Sequence, residues 1–327
     1  MTITKSRAIV YVTDQGFLMP SLFSACQIAG QASVIEIADI FIILVGVKAS
    51  DELQAAFIDK SIHFLELNQQ DFWSDENVFF NETHVPITSL GRLAMQNVVP
   101  DKYQHILYID GDTYIKGNIM PLVSHTVAPG KIAATNNASW LSRGQMGASW
   151  NNYERYCKNL GMPDATKYFN AGLLAFQLDT WKDMAPKALK FFEKNSTLCK
   201  YHDQSALNVV FETQREVLSP IWNYQTGYTE VANHDEVSAV ILHFTGAHKP
   251  WLSEKTFWGP SFIKEYSSFI EQYSLLSKMA PIINQDDDLA KKPAFNRFEL
   301  KDIVRKCRNV RKAVKLKRSL QHDNFAI

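Results

Sequence analysis

Short apolar runs alternate with stretches of helical spacing along most of the chain. Runs rich in β-branched and aromatic residues at Ala8–Thr13, Ile40–Val45, Ile62–Leu67 and Ile106–Ile109 read as strands. Between them, Leu18, Leu22, Ala25 and Ala29 fall on one helical face, as do Leu90, Leu93 and Ala94. A second set follows, with strands near Ile132–Thr135, Leu173–Leu178 and Ala239–Phe244 and helices over Asp179–Glu193 and Asp203–Phe211. Strands alternating with helices predict βαβ units around a mostly parallel sheet. There is no internal repeat and no low-complexity segment.

The pattern changes after about Lys278. Asp286-Asp287-Asp288 precedes a Lys- and Pro-containing stretch that reads as a linker, so residues 1–278 are expected to form the main domain and 279–327 an appendage. From Arg297 to Arg318 there are ten Lys or Arg residues against only Glu299 and Asp302. Ile303, Cys307, Val310 and Val314 recur at helical spacing, a narrow apolar stripe flanked by cations. Such a helix suits an anionic membrane surface; the plainer expectation is a solvated helix packed on the main domain by the same stripe. Eight cations between Arg305 and Arg318 are more than solubility requires, which favours the membrane.

Composition narrows the class. The 327 residues are 46% hydrophobic, enough for one large α/β domain with an appendage. With 34 basic and 34 acidic residues there is no global field to attract nucleic acid. Cys26, Cys157, Cys199 and Cys307 show no zinc spacing and read as reduced thiols of a cytoplasmic protein. The first seven residues lack the apolar core of a signal peptide, and even the run from Asp39 to Val47 is too short to span a bilayer.

Candidate chemistry centres on His105-Ile106-Leu107-Tyr108-Ile109-Asp110-Gly111-Asp112-Thr113. In an extended chain Asp110 and Asp112 point the same way, and two hard oxygen ligands suit Mg²⁺ or Mn²⁺ with positions open for phosphate. Gly111 allows a sharp turn and the approach of a bulky anion. An isolated acidic pair is common in solvated turns. Here it follows a run that reads as a buried parallel strand, whose carboxyl end is where open α/β sheets place ligands. Three further segments carry polar groups: Phe169-Asn170-Ala171-Gly172-Leu173-Leu174, Tyr201-His202-Asp203-Gln204, and His243-Phe244-Thr245-Gly246-Ala247-His248-Lys249-Pro250-Trp251.

In order and content these segments, with Tyr11-Val12-Thr13-Asp14 and Thr88-Ser89-Leu90-Gly91-Arg92-Leu93, resemble glycosyltransferase family 8, the retaining enzymes that use nucleotide sugars. The resemblance runs from residue 11 to 251, about three-quarters of the chain. It implies a GT-A-like, Rossmann-type mixed sheet flanked by helices, with the basic helical tail as an addition. It implies Asp110, Asp112 and His243 as ligands of Mn²⁺ or Mg²⁺, the imidazole favouring Mn²⁺. Lys249 would stabilise a departing diphosphate, with Gly246 exposing backbone N–H groups to the same oxygens. Val12 and Asp14 would lie at the base and ribose, and Arg92 near the phosphates and sugar with Asp203 as a candidate partner. Asn170, Asp203 and Gln204 would line the sugar pocket. The plainer roles are a surface ion pair for Arg92 and a helix N-cap for Asp203.

Two departures stand out. Asn136-Asn137 replaces an acidic residue that bacterial members often carry after the strand following the carboxylate clamp Asp110-Gly111-Asp112, which affects acceptor contacts. Gln15-Gly16 replaces the frequent Asp-Asn after the first strand, which affects base and ribose contacts. The expected function is metal-dependent transfer of a hexose from a UDP-sugar, with retention, to a glycan or glycolipid acceptor such as lipopolysaccharide. The expected location is cytoplasmic, peripheral on the inner face of the plasma membrane, with no nucleic-acid partner. A metal-dependent phosphohydrolase or nucleotidyltransferase, or a non-catalytic sugar- or membrane-binding module, are the alternatives.

Overall fold

The computed structural model describes residues 5–73, 87–145, 148–252, 256, 258, 260–278, 300–322 and 325–327. The expected linker over 279–299 lies outside them. The first half contains β1 (Arg7–Thr13), α1 (Leu18–Ala29), α2 (Ala32–Ile37), β2 (Ala38–Val45), α3 (Asp51–Phe57), β3 (Ile62–Leu67), β4 (His105–Ile109), β5 (Thr113–Ile115), α4 (Met120–Ser124) and β6 (Ile132–Thr135). The second half contains α5 (Ala148–Asn159), β7 (Leu173–Gln177), α6 (Leu178–Asn195), α7 (His202–Val210), β8 (Arg215–Leu218), β9 (Tyr224–Gln225), α8 (Thr226–Thr229), β10 (Ile241–His243), α9 (Ser261–Gln272) and α10 (Leu300–His322).

A seven-stranded sheet runs in the order β3-β2-β1-β4-β7-β6-β8. β3, β2, β1 and β4 are parallel neighbours, as the alternation with helices predicts. β7 runs antiparallel to both β4 and β6, so the sheet is mixed. Alternate residues of each central strand enter two separate cores. Ile9, Tyr11, Ile40, Ile42 and Leu107 pack on the α1 side, whereas Ala8, Val10, Phe41, Ile43 and Ile106 pack with Leu90, Leu93 and Trp181 on the other. With both faces covered, such strands need no polar face, which is why they read as continuous apolar runs.

A second sheet, β5-β10-β9, begins where the first ends. The chain leaves β4, turns through Asp110-Gly111-Asp112 and enters β5, which pairs antiparallel with β10. Residues 110–112 thus form the hinge between the two sheets.

The helix α10 docks on the domain, but not by the stripe that the plainer expectation named. Leu316 and Ser319 are buried, and Lys315 Nζ donates to the Trp140 carbonyl at 2.8 Å while lying 4.8 Å from the centre of that ring. Cys307, Val310 and Val314 face solvent, the valines 63% and 44% exposed. The side chain of Ile303 lies outside the described residues. The sequence carries two apolar rows, and Leu316 with Leu320 is the row that the domain covers. Among the described residues no helix is long and apolar enough to cross a membrane.

Candidate active site

Asp110, Asp112 and His243 each present one ligand atom within 4.8 Å of the others. The fold brings them together through the β5–β10 ladder, in which Thr113 pairs with His243. Two backbone bonds lock the turn: Asp110 N–H donates to the Gly172 carbonyl at 2.8 Å, and Phe244 N–H donates to the Asp112 carbonyl at 2.9 Å. His243 Nε2 lies 3.2 Å from Asp112 Oδ1 and 3.8 Å from Asp110 Oδ2. On its other side, His243 Nδ1 is 2.8 Å from Asn223 Oδ1. Two carboxylate oxygens and one imidazole nitrogen form a donor set that fits Mn²⁺, and fits Mg²⁺ less well.

Both glycines of the clamp have roles other than admitting a ligand. A Cβ on Gly111 would meet Ser21 Oγ at 2.1 Å, so its missing side chain makes room for α1. A Cβ on Gly172 would meet His243 Cε1 at 2.1 Å and Asp110 Oδ2 at 2.7 Å. The close approach expected there is that of the imidazole ring. Gly246 has φ of +92°, and nothing lies within 4 Å of where its Cβ would be, so this glycine keeps an open, left-handed turn before Lys249.

Lys249 is buried, and its ammonium is already engaged. Nζ donates to Asp112 Oδ2 at 2.5 Å and to the Phe244 carbonyl at 2.7 Å. Burial would push the Asp112 carboxyl up, but Lys249 and His243 overcome it and hold the group well below the usual carboxylate range.

Arg92 is not a surface ion pair. It is 8% exposed on the helical stretch Ile87–Asn97, which winds as a 3₁₀ helix. Its Nε is 2.7 Å from Asp203 Oδ2, one Nη 3.2 Å from Asp110 Oδ1, and the other donates to the Ala171 carbonyl at 2.7 Å. The guanidinium also sits 4.8 Å over the Tyr108 ring, and Tyr108 Oη donates to Asp110 Oδ1 at 2.5 Å. Burial opposes the Arg92 charge, but Asp110 and Asp203 outweigh it and raise its pKa. Burial pushes Asp203 up to about 6; Arg92 pulls the other way and the Asp110 charge adds to the rise.

The N-cap role expected of Asp203 does not hold. Tyr201 is the N-cap of α7, the chain enters through His202 at φ +46°, and Asp203 stands in the first turn. There its charge is favoured by the helix N-terminus as well as by Arg92. Next to it, Gln204 Oε1 accepts from Ala171 N–H at 3.0 Å and from Asn170 Nδ2 at 3.2 Å. The structure thus joins Asn170, Asp203, Gln204 and Arg92 to the carboxylate clamp.

Asp14 and Val12 stand at the carboxyl end of β1. Asp14 Oδ1 accepts from the N–H groups of Gly16 and Phe17, and Oδ2 accepts from Thr88 Oγ1 at 2.9 Å. Val12 lies beside Gly91, where a Cβ would meet its Cγ1 at 3.1 Å. Asn136 Oδ1 accepts from Arg215 at 2.7 Å, and Asn137 caps the turn that follows it. Sequence reasoning missed Tyr108 and Asn223. Tyr108 was hidden as one more apolar strand residue, and Asn223 stands in a stretch with no motif.

Residues 8–255 match the model of the family described as "Glycosyl transferase family 8". General stress protein A of Bacillus subtilis is 26% identical over 212 residues, 59% of this chain and 67% of that protein. Lipopolysaccharide 1,3-galactosyltransferase of Salmonella typhimurium is 24% identical over 218 residues, 63% of this chain and 61% of that protein. The chain spans between half and two thirds of the length of such relatives. The crystal structure of galactosyltransferase LgtC in complex with donor and acceptor sugar analogs matches with a TM-score of 0.64. That match is 21% identical and covers 81% of this chain and 95% of that one. It is a likeness of fold, the GT-A-like mixed sheet flanked by helices. With three-quarters of its length matched by the family model, the chain belongs to glycosyltransferase family 8 and is a glycosyltransferase.

Proposed function

We propose that this glycosyltransferase moves a hexose from a UDP-sugar to a glycan or lipid-linked acceptor, with retention and with Mn²⁺ held by Asp110, Asp112 and His243. The observation that carries this reading is the convergence of three acceptor atoms within 4.8 Å at the carboxyl end of β4. Lys249 and Arg92 each take one carboxylate oxygen, which leaves Asp110 Oδ2, Asp112 Oδ1 and the imidazole nitrogen facing one another as a place for a further positive charge. A bound divalent ion would supply charge neutralisation for a diphosphate leaving group. Lys249, over the open Gly246 turn, adds a fixed cation beside it, and Arg92 holds Asp110 in place from behind. Asn170, Asp203 and Gln204 are suited to orient the sugar, since amides position far better than they attack. Asp14 and Val12 are assigned to the nucleoside.

The relatives include enzymes whose names place them on lipopolysaccharide, and the exposed cationic face of α10 supports an acceptor at a membrane surface. In this reading residues 1–278 are the catalytic domain and 279–327 a peripheral attachment on the cytoplasmic leaflet. The test is a donor screen that scores UDP release with Mn²⁺ across several UDP-sugars, first without acceptor and then with lipid-linked glycans. One UDP-sugar is expected to be hydrolysed slowly without acceptor and turned over faster with one. Release of inorganic phosphate or pyrophosphate instead of UDP would overturn the assignment.

A further inference from the structure

A buried chain of amides runs from the sugar-pocket residues to the metal-ligand histidine, and its direction is set by the backbone. Ala171 and Gly172 each offer an N–H, a group that only donates. Ala171 N–H donates to Gln204 Oε1 at 3.0 Å, and Gly172 N–H donates to Asn170 Oδ1 at 2.9 Å. Both side-chain amides are therefore turned with oxygen toward the backbone. Asn170 Nδ2 then donates to Gln204 Oε1, and Asn170 Oδ1 accepts a second bond from Asn223 Nδ2 at 2.9 Å. With its nitrogen spent there, Asn223 turns Oδ1 to His243 Nδ1, 2.8 Å away. An amide oxygen only accepts, so Nδ1 must carry a proton.

We infer that Asn223 is a positioning residue that keeps a proton on His243 Nδ1 and so fixes the ring with Nε2 turned toward Asp110 and Asp112. The polarity is inherited link by link from two backbone N–H groups and needs no charged partner. Asn170, Asn223 and His243 are 7%, 1% and 3% exposed, so water does not compete for these bonds. With Nδ1 committed to Asn223, Nε2 is the ring nitrogen left for a metal on the carboxylate side, an orientation that partners of ligating histidines generally fix. The amides expected to orient the sugar are the same ones that fix the ligand, so the two halves of the site are built as one unit.

This inference rests on the proposed metal reading, and its test separates the two. Long-range ¹⁵N–¹H correlation spectra of the His243 ring are expected to show a proton on Nδ1. Asn223→Leu removes the acceptor and is expected to lose that preference and to weaken Mn²⁺ binding by roughly 10- to 100-fold in calorimetry. Asn223→Asp loses the donor to Asn170 Oδ1 but keeps an acceptor facing the ring, and is expected to retain the proton on Nδ1 even where the fold is destabilised, which a merely structural role for the side chain would not predict. A wild-type ring with Nδ1 unprotonated overturns the inference, as does an unchanged ring state and affinity in Asn223→Leu. Wild-type protein that shows the proton on Nδ1 yet binds no Mn²⁺ supports the relay and overturns the metal assignment instead.

Discussion

Lys249 Nζ and Asp112 Oδ2 are 2.5 Å apart, so the cation nearest the clamp is bound to one of the groups assigned to the metal. Asp112 has two oxygens, and the pair divides them: Oδ2 faces Lys249 and Oδ1 faces His243. A metal held through Oδ1 would leave the lysine in place, held also by the Phe244 carbonyl. The ammonium is fixed by the fold itself, as electrostatic stabilisation of a departing anion would require.

Lys249→Ala is expected to lower kcat on the order of 100-fold while changing the donor KM only a few-fold, because the charge matters most as the diphosphate departs. Steady-state kinetics with the donor found by the screen measure both. Wild-type turnover at saturating donor would remove Lys249 from the mechanism. Asp112→Ala is expected to abolish Mn²⁺-dependent UDP binding in calorimetry.

Gly172→Ala tests the packing of the ligand histidine. The new methyl would sit 2.1 Å from His243 Cε1, and the backbone there is held on both sides by Asn170 Oδ1 and Asp110 N–H. The ring must move. Thermal unfolding is expected to show a loss of about 1–3 kcal/mol from overpacking, with Mn²⁺ affinity down roughly 10-fold or more. Unchanged Mn²⁺ affinity would show that His243 is not a ligand or that the backbone yields.

The Asp203 carboxyl gives the metal-free protein a pH signature. Its pKa rises on folding from 3.8 to about 6, chiefly by burial. The folded state therefore binds its proton more tightly than the unfolded state. The resulting stability is fully present below the ordinary value and is lost as pH rises through the folded one. Relative to Asp203→Asn, the wild type is expected to lose about 3 kcal/mol across that window, from roughly 1.4 kcal/mol per pKa unit. Urea unfolding of both proteins in chelator from acid to neutral pH checks the sign; a difference that grows with pH contradicts it.

Val310 and Val314 face solvent, so the membrane assignment can be tested without disturbing the docked side of α10. Each basic group near an anionic surface contributes on the order of 1 kcal/mol, screened by salt. The double variant Val310→Asp, Val314→Asp is expected to sediment less with anionic vesicles at low salt and to keep the wild-type Tm. Equal sedimentation of variant and wild type would assign the helix to packing alone.

The central strands were legible because burial on both faces leaves a run with no polar interruption, as in Ile40–Val45. The pair Asp110 and Asp112 was legible because it ends such a run. What the residue pattern alone did not carry depended on partners distant in the chain. Nothing local in Leu173–Gln177 states that it will run antiparallel to its neighbours. β5 and β9, of three and two residues, are too short for any periodicity. The docked face of α10 was not legible because two apolar rows compete within one helix, and only the domain surface chooses between them. Asn223 has no signal of its own, since its role lies wholly in the two amides and the ring around it.

The junction of the two sheets also bears on how the protein assembles. His243 sits on β10 and Asp112 in the turn that leads into β5, and these two strands pair only when segments more than a hundred residues apart meet. Such non-local pairing closes a long loop and is slow relative to the β1–α1–β2 neighbourhood, whose contacts are local. During refolding the apolar sheet is expected to form first and the binding centre last. Mn²⁺ uptake in stopped-flow should therefore lag behind the burial of Trp181, whose ring stacks on Phe176 of β7 in the main sheet. A nascent chain released before β10 has emerged would hold both aspartates and lack the histidine that completes the set.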